Sequence, residues 1–206
     1  MERRFFQVEV RADEGEQAAA KIAGYAAVFG QQSVLLYGQF REVIERGAFA
    51  GDLAGDVRAL WNHDTNMPLG RTKAGTLALE EDAHGLRVEI DPPATSWGRD
   101  AVESIRRGDV DQMSFGFDVV DDDWAQLDDG TLVRTLRKVK LYEVSPVVFP
   151  AYPQTAVSVR GGDAALGDMP AIPERFRGGD DGSEAERAQR RTAVRRRRLA
   201  VLTLKR

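Results

Sequence analysis

The chain has no cysteine among its 206 residues. That absence excludes disulfide scaffolds, thiol nucleophiles, cysteine-based zinc fingers and iron–sulfur clusters together. Histidine is nearly as scarce: only His63 and His84 occur, so a multi-histidine metal site is excluded as well. No stretch approaches the roughly 20 apolar residues a membrane-spanning helix needs. The opening Met1-Glu2-Arg3-Arg4-Phe5-Phe6 lacks the apolar core and small-residue cleavage signal of a secretory peptide, so none is expected. A reducing compartment is compatible with these features. What remains, 42% hydrophobic, 30% charged and 8% aromatic, is the balance of an ordinary soluble globular domain.

The net charge of −4 conceals an asymmetry. Residues 161–206 carry eleven basic and seven acidic side chains, and no acid follows Arg187. Residues 1–160 carry 18 basic and 26 acidic ones, so an acidic body precedes a basic tail. Residues 1–160 read mostly as strands: 5–10, 22–29, 40–44, 57–61, a hairpin of 77–80 with 86–90, 113–120, 132–144, 147–149 and 156–159. A short helical piece is expected at 48–53. A clearer helix is expected at 96–107, where Ala101, Val102 and Ile105 make one apolar face and Gly108 closes it. Many strands with one or two helices indicate a mainly β (α+β) closed barrel with flanking helices rather than a doubly wound sheet. Glycine, aspartate and proline crowd 161–183, read as a linker, and 184–205 reads as a short basic helix or a disordered end.

Three residues are candidates for chemistry. If the strand alternation of Val57, Ala59 and Trp61 persists, His63 shares their face at the strand's end; taken alone, its simpler reading is a partly buried histidine bonded to a carbonyl. Met113, Phe115 and Phe117 alternate onto an apolar face, so Ser114 projects from the opposite one beside the uncrowded Gly116. Its simplest reading is a small polar residue facing solvent. The surroundings are not the G-x-S-x-G elbow of α/β-hydrolases. Glu143 shares parity with Val139 and Leu141, placing a carboxylate on an apolar face, where it needs a partner: an imidazole N–H or an arginine such as Arg137.

A serine hydroxyl needs a positioned imidazole to take its proton, and that imidazole needs its second nitrogen held by an acid. Asp64 is a poor holder of His63 because adjacent strand residues face opposite ways. Asp118 lies about 13 Å along the strand from Ser114. Glu143, arriving from another strand, has fewer geometric objections. Arg137 and the arginines of the 96–107 helix are candidates for stabilising an oxyanion.

These residues sit among the blocks Gly24-Tyr25-Ala26-Ala27-Val28-Phe29, Glu42-Val43-Ile44-Glu45-Arg46-Gly47-Ala48-Phe49, Trp61-Asn62-His63-Asp64, Leu69-Gly70-Arg71, Gly85-Leu86, Met113-Ser114-Phe115-Gly116-Phe117 and Glu143-Val144-Ser145-Pro146-Val147, with Pro150-Ala151 following. In order and spacing they resemble the HK97-type prohead (capsid maturation) proteases of tailed bacteriophages, relatives of the herpesvirus assembly proteases. The resemblance covers most of 20–160. It implies a serine endopeptidase with Ser114 as nucleophile and His63 as general base, needing no metal or organic cofactor. The herpesvirus relatives use a second histidine after the serine; none follows Ser114 here, and Glu143 holds the comparable place in chain order. His84 precedes the serine in a predicted turn and has no part in this scheme, and Ser145 reads as structural.

The implied substrate is the scaffolding segment of the major capsid protein, a separate scaffold protein, or the chain itself, cut inside the assembling procapsid in the bacterial host cytoplasm. The 161–206 tail would then tether the enzyme to an acidic scaffold or be removed by self-cleavage. Nucleic-acid binding through Arg195 to Arg198 lacks stacking aromatics, and the body is acidic. The alternative is a non-catalytic assembly module docking coat or scaffold protein; an ester hydrolase, needing an enclosed apolar pocket, is more distant.

Overall fold

Alternating apolar residues form ten strands: β1 (Glu2–Gln7), β2 (Arg11–Asp13), β3 (Lys21–Val28), β4 (Phe40–Ile44), β5 (Arg58–Trp61), β6 (Asp64–Arg71), β7 (Leu77–Glu81), β8 (Gly85–Ile90), β9 (Gln112–Gln126) and β10 (Leu132–Val147). A single α-helix among the described residues, α1 (Ser96–Arg106), interrupts them. The structure is a computed structural model that describes residues 1–7, 11–13, 20–148 and 169–177. The chain divides into two compact units, Met1–Pro170 and Ala171–Arg206. In the second, the described residues contain one 3-10 turn, Glu174–Phe176. The expected strand at 156–159 and the basic helix at 184–205 lie outside the described residues, as do Phe149 and most of the linker.

The protein is mainly β. One six-stranded sheet runs β1-β9-β10-β5-β6, with β4 also bonded to β10, and a four-stranded sheet runs β2-β3-β8-β7. β10 organises the larger sheet. It pairs antiparallel with β9 from Leu132 to Val147. On its other side it pairs parallel with β4 through Leu132–Leu136 and with β5 at Glu143 and Val144. One core lies between the sheets: Ala27, Leu86, Val88 and Ile90 from the smaller join Phe115, Phe117, Leu136 and Leu141 from the larger. Phe115 stacks on Phe117 with centroids 4.9 Å apart and meets Phe49 edge-on at 5.4 Å. Each such buried ring or branched chain contributes about 1.5–3 kcal/mol.

α1 begins at Thr95, whose hydroxyl accepts from the Gly98 N–H at 3.3 Å, and it buries Ala101 and Ile105. Gly98 is required because a Cβ there would lie 2.0 Å from the Pro93 carbonyl oxygen. The helical piece expected at 48–53 is instead a run of tight turns. The amides of Ala48, Ala50, Asp52 and Gly55 each bond the carbonyl three residues back. Asp52 uses its carboxylate to accept from the Leu141 amide at 2.6 Å, tying the segment to β10 instead of letting it continue as a helix.

β9 runs six residues beyond the expected end at Val120, to Gln126. Its acidic stretch persists as a strand because β10 supplies cations across the ladder. Arg134 Nε donates to Asp122 at 2.5 Å and Arg137 to Asp123 at 2.9 Å. β6, with Pro68 and Gly70 and no clean alternation, was not among the expected strands. It pairs with β5 through two register shifts. No helix among the described residues is long and apolar enough to cross a membrane.

Candidate active site

Strand parity alone would set Glu143 on the core face with Leu141. The structure does otherwise. Leu141 pairs with Phe117, but Glu143 pairs with Gly116, so Tyr142 is an extra residue and forms a β-bulge. After the bulge Val144 pairs with Phe115 on the core side, while Glu143 and Ser145 lie opposite Gly116 and Ser114 on the other face. Bulges commonly re-aim a side chain in this way. The carboxylate expected on the apolar face is thereby transferred to the face of Ser114. The Tyr142 hydroxyl donates to Asp118 at 2.7 Å, anchoring the bulge and holding the Asp118 carboxyl below the usual carboxylate range.

His63 is also placed by irregular backbone. The expected strand continuation fails at Trp61. Trp61 and Asp64 pair across a two-residue loop in which Asn62 (φ 51°) and His63 (φ 62°) both adopt positive φ. That combination belongs to the type I′ hairpin turn, where Asn is favoured for its tolerance of left-handed backbone. The Asn62 N–H donates to the Pro146 carbonyl at 3.0 Å, fastening the turn to β10. Its far side is fixed by Asp64, which accepts from the Asn66 amide at 2.8 Å. From this turn His63 reaches Glu143, with Nδ1 and Oε1 2.7 Å apart and both side chains largely buried. A neutral imidazole bonded to a carboxylate through Nδ1 carries its proton there, leaving Nε2 as the basic nitrogen.

Gly116 makes room for this pair. A Cβ on it would lie 2.6 Å from Glu143 Oε1, so only glycine lets the carboxylate lie across β9. Ser114 stands two residues along the same face, about 7 Å at strand spacing. It is fully buried rather than solvent-facing as expected, and its Oγ makes no hydrogen bond. Two further buried polar atoms without a partner, Gln112 Oε1 and Arg3 Nε, share that face, because Arg3 pairs with Gly116 and Gln112 is two residues from Ser114. Neither carries a signal in the sequence, since only strand register places them there. Ser145, read as structural, is opposite Ser114 and donates its hydroxyl to Glu143 Oε2 at 2.5 Å.

The remaining candidates lie elsewhere. Arg137 is half-exposed and paired with Asp123 and Glu45, not with Glu143. Of the helix arginines, Arg99 bonds the Ala94 carbonyl and Arg106 bonds Glu103. His84 packs edge-on against Tyr25 with centroids 4.6 Å apart. Asp64 faces Asn66.

The caudovirus prohead serine protease family matches residues 6–168 of the chain. The prohead protease of Enterobacteria phage HK97 is 30% identical over 140 residues, covering 66% of this chain and 57% of that protein. The chain thus spans little more than half the length of the curated relative it matches. No solved structure matches it significantly. With the match extending over most of its length, the chain belongs to the caudovirus prohead serine protease family.

Proposed function

We propose that this protein is a serine endopeptidase of procapsid maturation in which Ser114 is the nucleophile, His63 the general base and Glu143 the carboxylate that orients it. The observation that carries the reading is the 2.7 Å contact of His63 Nδ1 with Glu143, built on the sheet face that bears Ser114. Ser114 Oγ attacks the scissile carbonyl carbon as its proton passes to His63 Nε2, and the carbonyl electron pair moves to oxygen. Collapse breaks the C–N bond, and Nε2 returns the proton to the departing amine. Water then attacks the acyl ester with the same base, releasing the acid and restoring Ser114. Glu143 fixes the Nδ1–H tautomer and stabilises the imidazolium. Ser114 meets Nε2 when substrate is bound, as catalytic hydrogen bonds often tighten only in the complex. No step calls on a metal or an organic cofactor.

The two sheets packed around one core support a closed barrel of the herpesvirus assembly protease kind, with Ser114 and Glu143 on the face of the larger sheet away from that core. The substrates are the scaffolding segment of the major capsid protein or a separate scaffold protein, and the chain itself, cut inside the procapsid in the bacterial host. Co-expression with the coat or scaffold protein tests this through the intact masses of both chains. Discrete fragments that vanish with Ser114→Ala support the proposal. Assembled particles with no fragments from wild type would transfer the weight to the docking module.

Gly116→Ala provides a separate check. Its new methyl must displace the Glu143 carboxylate, the movable end of a side chain, so folding is preserved while His63 loses its partner. Cleavage is expected to fall about a hundredfold, with a far-UV circular dichroism spectrum like wild type.

A further inference from the structure

Ser145 has no part in the scheme above, yet it is fully buried and spends its hydroxyl on Glu143. We infer that Ser145 is a positioning residue of the catalytic site, holding Glu143 so that Oε1 is presented to His63; this rests on the proposed roles of Ser114, His63 and Glu143. A glutamate on a strand has several rotamers, and one hydrogen bond to a turn histidine does not select among them. Here both carboxylate oxygens are used, Oε1 by His63 at 2.7 Å and Oε2 by Ser145 at 2.5 Å. Gly116 lies beneath, its missing Cβ providing the space. The carboxylate is therefore fixed at three points: imidazole, hydroxyl and the floor of β9.

The Tyr142 bulge couples these points. By shifting the ladder one residue, it turns Glu143 and Ser145 together onto the Ser114 face, so the carboxylate arrives with its own clamp two residues later. Ser145 faces Ser114 across the ladder, but a hydroxyl already donating to a carboxylate at 2.5 Å is held by an acceptor that is itself bonded to the imidazole. Its geometry serves Glu143 rather than attack.

The test uses the full chain and a fluorophosphonate, which phosphonylates an activated serine with loss of fluoride, and compares wild type with Ser145→Ala, Ser145→Thr, Ser145→Cys and Ser114→Ala. Ser145→Ala is expected to slow labelling about ten- to a hundredfold, and Ser145→Thr, which keeps the hydroxyl, to restore most of the rate. The Nδ1 proton of His63, assigned by proton NMR with His84→Asn because the chain has only two histidines, is expected to move upfield in Ser145→Ala and return in Ser145→Thr. If Ser145→Ala fails to fold, Ser145→Cys fills the same space with a weak donor and is expected to show the same slow labelling and upfield shift. Wild-type labelling and an unmoved resonance in the folded alanine or cysteine variant would overturn the inference. So would an adduct mapped to Ser145. Undiminished labelling of Ser114→Ala at a residue other than Ser145 would instead overturn the proposed nucleophile.

Discussion

Ser114→Ala is expected to abolish cleavage of coat or scaffold protein, with the rate falling roughly a millionfold, and His63→Ala to fall about as far. The double variant should be scarcely worse than either, since nucleophile and base act as one unit. Glu143→Gln should retain more activity, about ten-thousandfold below wild type, because the amide keeps the shape but favours the wrong imidazole tautomer. A structural role predicts a different pattern. Ser114 Oγ is buried without a hydrogen bond, and such a group costs about 1–3 kcal/mol of desolvation. Its removal should therefore leave the melting temperature unchanged or raise it. Loss of cleavage in a protein as stable as wild type or more so separates catalysis from folding, and a calorimetric scan beside the cleavage assay reads both.

The largest expected effect on stability is far from the chemistry. Glu42→Ala should cost about 3–5 kcal/mol, lowering the melting temperature by roughly 10–15 °C for a domain of this size. Glu42 is buried between two buried arginines. It accepts from Arg4 through both oxygens, at 2.5 and 2.9 Å, and from Arg134 at 3.2 Å. Glu2 bonds Arg134 at 2.7 Å and also pairs with Arg4, and Asp122 takes the remaining edge of Arg134. The Arg4 guanidinium lies over the Phe117 ring at 5.3 Å and that of Arg134 near Trp124 at 5.6 Å. Burial pulls Arg4 toward losing its proton, but the charge and hydrogen bond of Glu42 outweigh it and hold the group above its ordinary value. Removing Glu42 takes away the most buried of three carboxylates and Arg4's two-oxygen partner, and leaves two desolvated cations sharing the more exposed Glu2 and Asp122. The loss also loosens β1 from β4, and β1 is the strand that flanks Ser114 on β9. Thermal denaturation of Glu42→Ala checks this, and a midpoint within a few degrees of wild type would contradict it.

The elements that positioned the site were those a period-two reading handles least well. Phe40–Ile44, the hairpin of β7 with β8 and helix α1 are regular, and the structure places them within a residue or so of expectation. The type I′ turn at Asn62 and His63 is hard to see in the sequence because its strongest signal, a glycine second, is absent, and the alternation of Val57, Ala59 and Trp61 extends the expected strand one residue pair too far. The bulge at Tyr142 is invisible to parity, which depends on an unbroken ladder. The chemistry of His63 and Glu143 is legible in the sequence, but the face expected for each assumes an unbroken strand, whereas His63 lies in a turn and Glu143 follows a bulge. Ser145 and Gly116 acquire meaning only from register, which sets them opposite Ser114 and Glu143.

The most direct measurement of the central claim is peptide mapping of the fluorophosphonate adduct on the full chain. The account predicts a single adduct, located on Ser114, absent from Ser114→Ala and strongly reduced in His63→Ala. An adduct on any other residue, or one that forms equally well without His63, would contradict it.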